Sequence, residues 1–385
     1  MDSNIKNSLL LLLNYVEKEK YKGYDPYDAL KSPFFNLPFL KTNKTLRFCF
    51  QQVVKRLHFN LRPFLLVPKG YNPVTLGLCI QSYGYLSRIF PENKKEYFSK
   101  AEYLISELIK LVPEGFSGAC WGYDFDWEAR YAKIKAYQPT VVATGIITNG
   151  LFEFFKISKN EEALSLCKSA CNFILKDLKR TYSGDTFCFS YSPFDEQIVF
   201  NASMKGARCL AQVYSVTKKE ELISTANKAV EFVVNNQRED GSWIYGNQKT
   251  ADWVDNYHTG YILDCLSEFL IAEENQKFRK ALNKGINYYV NNFFYENKIP
   301  KFYDKKLYPI DCTAAGQSLL ALPRFNYILM AENVAKFMIE NMQDEEGYFY
   351  FRNYGNKIAK TSFMRWSNAW MLAGLSYYLF MKEKN

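Results

Sequence analysis

The chain has 385 residues, 48% of them hydrophobic and 17% aromatic, with 49 Lys and Arg against 40 Asp and Glu for a formal charge of +9. Such length and apolar content exclude a disordered protein and allow a large buried core. The basic residues are spread singly through helical patterns, which excludes a dedicated nucleic-acid binder and leaves a solubilising surface, a preference for acidic substrates, or peripheral contact with an anionic membrane.

Residues 1–43 read as a lead-in: one helix and the loop "YKGYDPYDALKSPFF", packed on the remainder of the chain. The apolar run Ser8–Leu13 is too short to span a bilayer and lacks a small-residue cleavage site. Neither a signal peptide nor a transmembrane helix is expected. Nine cysteines, an odd number with no Cys-x-x-Cys pair, sit mostly inside apolar helical patterns. They read as reduced thiols and favour the cytoplasm.

From residue 44 onward a repeat governs the chain. Small-residue-rich segments that are apolar almost all round begin near Val74, Gln138, Phe200, Asp255, Asp311 and Met364, spaced 53 to 64 residues apart. A helix apolar all round is buried on every side. Between them the spacing predicts half-buried amphipathic helices over Leu46–Leu57, Lys100–Leu111, Glu161–Leu178, Lys219–Asn235, Gln276–Asn292 and Tyr327–Met342. Six of each kind imply an all-α chain, a single (α/α)6 toroid over residues 44–385 with short β-hairpins in its loops.

After the outer helices come "QREDGSW" (Gln237–Trp243) and "QDEEGYF" (Gln343–Phe349), where Gln can bond helix carbonyls, Gly can supply the turn and an aromatic can seal the hairpin. "KAVEFVVNNQREDGSW" resembles the Gln-Trp repeat of squalene and terpene cyclases, a likeness of fold more than of reaction.

The loops ahead of the inner helices meet over one mouth of such a toroid, so their polar residues are the candidate site. Asp124 and Asp126 lie two apart among aromatics, where burial can raise one carboxyl and leave the other ionised; Asp126 can equally hold Arg130. Asn201, Asp255 and Asp311 stand at helix starts, where capping is their first role. His258, one turn beyond Asp255, can form a carboxylate-oriented imidazole with it. Tyr123, Tyr191, Tyr245 and Tyr261 are candidate proton donors, and Trp121, Trp127, Trp243 and Trp253 a platform for a sugar ring. Asn256, Gln317 and Trp366 complete the polar and aromatic set, and His58 reads as structural.

Two further resemblances bear on function. "DNYHTGYILDCLS" resembles the histidine-bearing stretch of protein prenyltransferase beta subunits, which implies a zinc ligand at His258. That family's Asp-x-Cys pair is absent upstream, so zinc is not expected and no cofactor is implied. The blocks "GYDPYDAL", "CWGYDFDW", "QPTVVATGIITNGLFEFF", "FSYSPFDEQIVFNAS", "GSWIYG" with "WVDNYHTGY", and "PIDCTAAGQS" resemble proteins of bacterial surface-polysaccharide loci and related six-hairpin sugar-active enzymes, including the helical domain of glucuronyl C5-epimerases. This resemblance implies a saccharide or polysaccharide substrate. In that setting the polar centre Asp124, Asp126, Asp255, His258 and Tyr261 is read as acid/base machinery: two carboxylates for a hydrolase, or a Tyr or His moving the C5 proton for a lyase or epimerase, with Arg130 or Arg365 holding the uronate. The alternatives are an isoprenoid enzyme and a glycan-binding protein without catalysis.

Overall fold

Glycines set how closely the buried helices approach. A Cβ at Gly150 would lie 2.1 Å from the Gly77 carbonyl oxygen, and one at Gly374 would lie 2.6 Å from that of Gly316. Only glycine fits at either contact, so the helices bearing them pack backbone against backbone. The computed structural model describes residues 2–128, 133–247 and 251–384.

In chain order the helices are α1 (Asp2–Lys18), α2 (Pro38–Thr42), α3 (Lys44–Arg56), α4 (Pro73–Ile89), α5 (Lys94–Lys110), α6 (Val141–Ser158), α7 (Glu161–Lys176), α8 (Phe200–Thr217), α9 (Glu220–Asn235), α10 (Asn256–Ala272), α11 (Gln276–Asn292), α12 (Cys312–Arg324), α13 (Ile328–Met342) and α14 (Trp370–Lys382). Helices α4, α6, α8, α10, α12 and α14 pack each on the next, and α14 returns to α4, closing an inner ring. Helices α5, α7, α9, α11 and α13 each lie outside the inner helix that precedes them. The chain is thus an (α/α)6 toroid, with short antiparallel hairpins in its loops. Helix α6 is long and apolar enough to cross a membrane, but 83% of it is buried, as befits a ring helix.

The sixth outer helix is α1, from within residues 1–43. Gln237 donates to the carbonyls of Gly241 at 3.0 Å and of Ala281, in α11, at 2.9 Å; Gln343 donates to Gly347 at 2.9 Å and to Ser8, in α1, at 3.1 Å. The two loops make the same bridge to the next outer helix, so α1 holds the place that α11 holds one repeat earlier. Ile5, Leu9, Leu12 and Val16 of α1 are fully buried. Helix α3, expected in that role, instead packs on the Asp28–Lys31 turn and the strand Trp127–Glu128. It buries Arg47, Gln51 and Val54 and leaves Leu46 and Val53 exposed.

Farther along the inner helices, the ring is filled by a buried polar network. Arg208 pairs with Asp264 at 2.7 Å, Arg324 reaches Asp264 and Glu268, and Gln212 links Asn149 to Glu268. Burial pushes the Glu268 carboxyl up, but Arg324 and then Lys156 outweigh it and hold it down to about 2. The network plugs the barrel, as buried charges persist only when paired.

Candidate active site

Four inner helices begin with side-chain caps: Asn72 on α4, Thr140 on α6, Asp255 on α10 and Asp311 on α12. One cavity of about 580 Å³ is lined from α6 by Val142 and Ile146, from α8 by Asn201, from α10 by Tyr257, His258 and Tyr261, from α12 by Thr313, and from α14 by Trp370. Ahead of α14 the chain forms a π-helical turn, Met364–Ala369, that carries Arg365 and Trp366 into the same wall. Wider helical turns of this kind are frequent at functional sites.

Asp255 fixes His258 in two ways. Its Oδ1 accepts the His258 backbone N–H at 3.0 Å as the helix cap, and its Oδ2 lies 2.6 Å from Nδ1 and 2.9 Å from the Trp253 indole nitrogen. A carboxylate only accepts, so Nδ1 carries the hydrogen, and in the neutral ring the lone pair is then on Nε2. Among the described residues Nε2 has no protein partner, and the ring lines the cavity.

Aromatic rings frame this imidazole. Tyr245 stacks on Trp253 with centroids 4.7 Å apart, and Tyr245 and Tyr257 approach His258 at 4.6 and 4.0 Å. Tyr123, Trp127 and Tyr191 form the facing wall. Burial pushes the phenols of Tyr191, Tyr257 and Tyr261 far up, so they stay protonated and act as donors. Behind Tyr261, the Lys205 ammonium sits 3.5 Å from the ring centroid, its pKa lowered to about 7 by burial and then by Arg208. Asn201 lies in the first turn of α8 rather than at its cap; it is 3% exposed and, among the described residues, its Oδ1 has no partner. A buried orphan oxygen in a cavity wall is a ready acceptor for a ligand hydroxyl.

Several expected site residues lie elsewhere. Asp124 is buried against Lys31 at 2.9 Å and Asn72 at 2.7 Å, and Asp126 is taken by Arg47 at 3.0 Å and the Ala136 amide at 3.0 Å. Neither lines the cavity, because lysine and arginine from the N-terminal segments claim both. Trp121 and Trp243 are core residues whose indoles donate to the Leu108 and Val233 carbonyls, so neither is a sugar platform. Asn256 accepts from Tyr289 and Ser318 between helices, Gln317 packs against Gly260, and Asp311 caps α12 while pairing with Arg352 and the Trp366 indole. Arg365 lines the cavity, but both of its bonds go to Asp25, at 2.6 and 2.9 Å. Arg130 falls outside the described residues. Among those described, no three His, Cys, Asp or Glu side chains converge to hold a metal ion.

The structure also adds residues that sequence reasoning passed over. Tyr27, from the loop "YKGYDPYDALKSPFF", lines the cavity, held by its own amide on Asp25 at 3.1 Å. A second lobe of about 640 Å³ adjoins the first across Tyr27, Tyr257, His258 and Tyr303. Lys55, Arg56 and His58 from α3 and its exit, with Arg352, line this lobe beside Asp255. The signal for Tyr257 was its place beside His258; nothing local announced α3, whose role depends on its folding back over the mouth.

No protein-family model matches the chain, and no curated protein matches it in sequence. Solved structures do. A cellobiose 2-epimerase from Bacillus thermoamylovorans B4167 aligns with TM-score 0.62 and 12% identity over 81% of this chain and 88% of that one. An unsaturated glucuronyl hydrolase specific for heparin aligns with TM-score 0.63 and 12% identity over 99% and 97%. A family 76 glycoside hydrolase from a bovine Bacteroides thetaiotaomicron strain aligns with TM-score 0.59 and 10% identity over 82% and 70%. The chain therefore shares its toroidal fold with enzymes named for their action on sugars.

Proposed function

We propose that the cavity is the active site of a carbohydrate-active enzyme that moves a proton at a sugar carbon, as an epimerase or lyase, with His258 as the base. The observation that carries this reading is the Asp255–His258 pair: the carboxylate holds Nδ1 at 2.6 Å and leaves Nε2 free among cavity-lining rings. A carboxylate behind an imidazole fixes its tautomer and stabilises the imidazolium that forms when it takes a proton. The protonated phenols of Tyr191, Tyr257 and Tyr261 supply donors for the developing oxyanion. Trp253 and Tyr245 supply a stacked wall for the ring of the sugar.

The two-carboxylate hydrolase is less well supported. It needs a second carboxyl roughly 5 to 9.5 Å from the first, across the scissile bond. Among the described residues that line the two lobes, Asp255 is the one carboxylate. The sugar-active fold neighbours support a saccharide substrate. Chromatographic screening of a panel of neutral and acidic oligosaccharides with the native chain and His258→Asn tests the reading. Conversion lost in the variant, at unchanged melting temperature, is expected; conversion kept in the variant overturns it.

A further inference from the structure

The second lobe carries an imbalance of charge that proton transfer at His258 leaves unused. Its lining includes Lys55, Arg56, Arg352 and Lys357. Arg352 is set against Asp311, Nε to Oδ2 2.5 Å, and Asp255 is occupied by His258, Trp253 and the start of α10. Among the described residues no carboxylate lies within ion-pair distance of Lys55, Arg56 or Lys357. Among the described residues, three cations thus face a cavity whose one lining carboxylate already has partners.

Lys55 is the sharpest case. Its ammonium donates to the Tyr27 hydroxyl and lies 4.0 Å from the centroid of that ring and 5.9 Å from that of Trp366. Burial, and after it Arg352, drives its pKa well below the ordinary lysine value. Such a group gains most from an anion brought beside it. The sequence shows where the charge comes from. Ala29 to Pro91 contains no Asp or Glu but nine Lys and Arg, equal to the +9 excess of the whole chain. Lys31, Arg47, Arg62 and Lys69 of this run are paired by acids from outside it. Lys55 and Arg56 are left facing the lobe.

We propose that the polar lobe binds an oxyanion carried by the saccharide, a carboxylate or a phosphate, with Lys55, Arg56 and Lys357 as its ligands and the sugar ring laid in the aromatic lobe next to it. The sugar part rests on the proposed function; the anion site rests on the lining alone. It also moves the acid-binding role away from Arg365, whose charge Asp25 already meets. Tyr257 and His258 border both lobes, so an acidic sugar anchored here presents its neighbouring carbons to the imidazole.

Calorimetric titration of the full chain with glucuronate, glucose 1-phosphate, inorganic phosphate and glucose tests this. At least one anionic sugar is expected to bind roughly tenfold tighter than glucose, the worth of one charge-assisted bond. Lys55→Met, and separately Arg56→Ala with Lys357→Ala, are expected to lose about that factor for the anionic probes and almost nothing for glucose. The two last side chains are exposed, so that variant keeps the fold if Lys55→Met does not. The tighter of the two anionic sugars names the group, and inorganic phosphate binding as tightly as either assigns the lobe to a free oxyanion. Glucose binding as tightly as both anionic sugars, no binding of any anionic probe, or equal losses for charged and neutral probes overturns the proposal. Anion binding without conversion of any sugar would leave the lobe standing and sink the reaction; conversion of neutral sugars without anion preference would do the reverse.

Discussion

Asp255 grips His258 by both backbone and ring: Oδ1 takes the amide at 3.0 Å while Oδ2 meets Nδ1 at 2.6 Å. One carboxylate therefore starts α10 and orients the imidazole. The two duties separate on substitution, since asparagine caps a helix about as well as aspartate but carries no charge. Asp255→Asn is expected to keep its melting temperature within a few degrees and to lose about 100-fold or more in kcat, the size of an oriented general base. Thermal melts and steady-state kinetics on the same preparation check it.

Asp124 and Asp126 are expected to behave in the opposite way. Asp124 is a buried partner of Lys31 and Asn72, so Asp124→Asn should cost about 3 kcal/mol of stability by stranding the ammonium. Asp126 has a 40% exposed side chain and shares Arg47 with Glu128, so Asp126→Asn should cost about 1 kcal/mol or less. Neither should change kcat by more than about twofold in folded protein. Denaturant titration with kinetics separates the effects.

The tryptophans divide by burial. Trp121 is fully buried and seals a hairpin, so Trp121→Ala should cost about 3–5 kcal/mol. Trp253 is 37% exposed and stacked on Tyr245 at the cavity, so Trp253→Ala should raise KM with little loss of stability. A fluorescence melt beside KM for each variant reads this directly.

Lys205 gives the pH dependence a sign. Its folded pKa is lowered from 10.5 to about 7, with burial the larger cause and Arg208 the next. The unfolded chain therefore binds the extra proton across that interval, and this contribution makes stability rise with pH from about 7 upward, by at most about 1.4 kcal/mol per unit. Buried thiols such as Cys265, whose pKa is raised, work against it at higher pH. The stability difference between the native chain and Lys205→Met should therefore change steadily in favour of the native chain between about pH 7 and 9. A flat difference would count against it.

The inner ring was legible because helices such as α6 and α12 are apolar on every face, a pattern that survives any tertiary context. The cap and histidine of α10 were legible because both belong to one turn. Ring closure by α1 was not, since it depends on Gln343 meeting Ser8 across the whole length of the chain. The fates of Asp124 and Asp126 were hidden for the same reason: a carboxylate in an aromatic loop looks alike whether or not Lys31 and Arg47 fold back onto it. Trp121 and Trp253 are the same residue type in similar loops, and only hairpin packing decides which one is core.

If His258 takes a proton from a sugar carbon, the exchange of that proton with solvent is the most direct sign of it. Proton NMR of the oligosaccharide panel in deuterium oxide reads the exchange. With the native chain and not with His258→Asn, deuterium should enter at a single ring carbon if the product is an epimer, or that carbon should lose its proton to a double bond if the product is unsaturated. Conversion that does neither, or the same conversion by the variant, would contradict this role for His258.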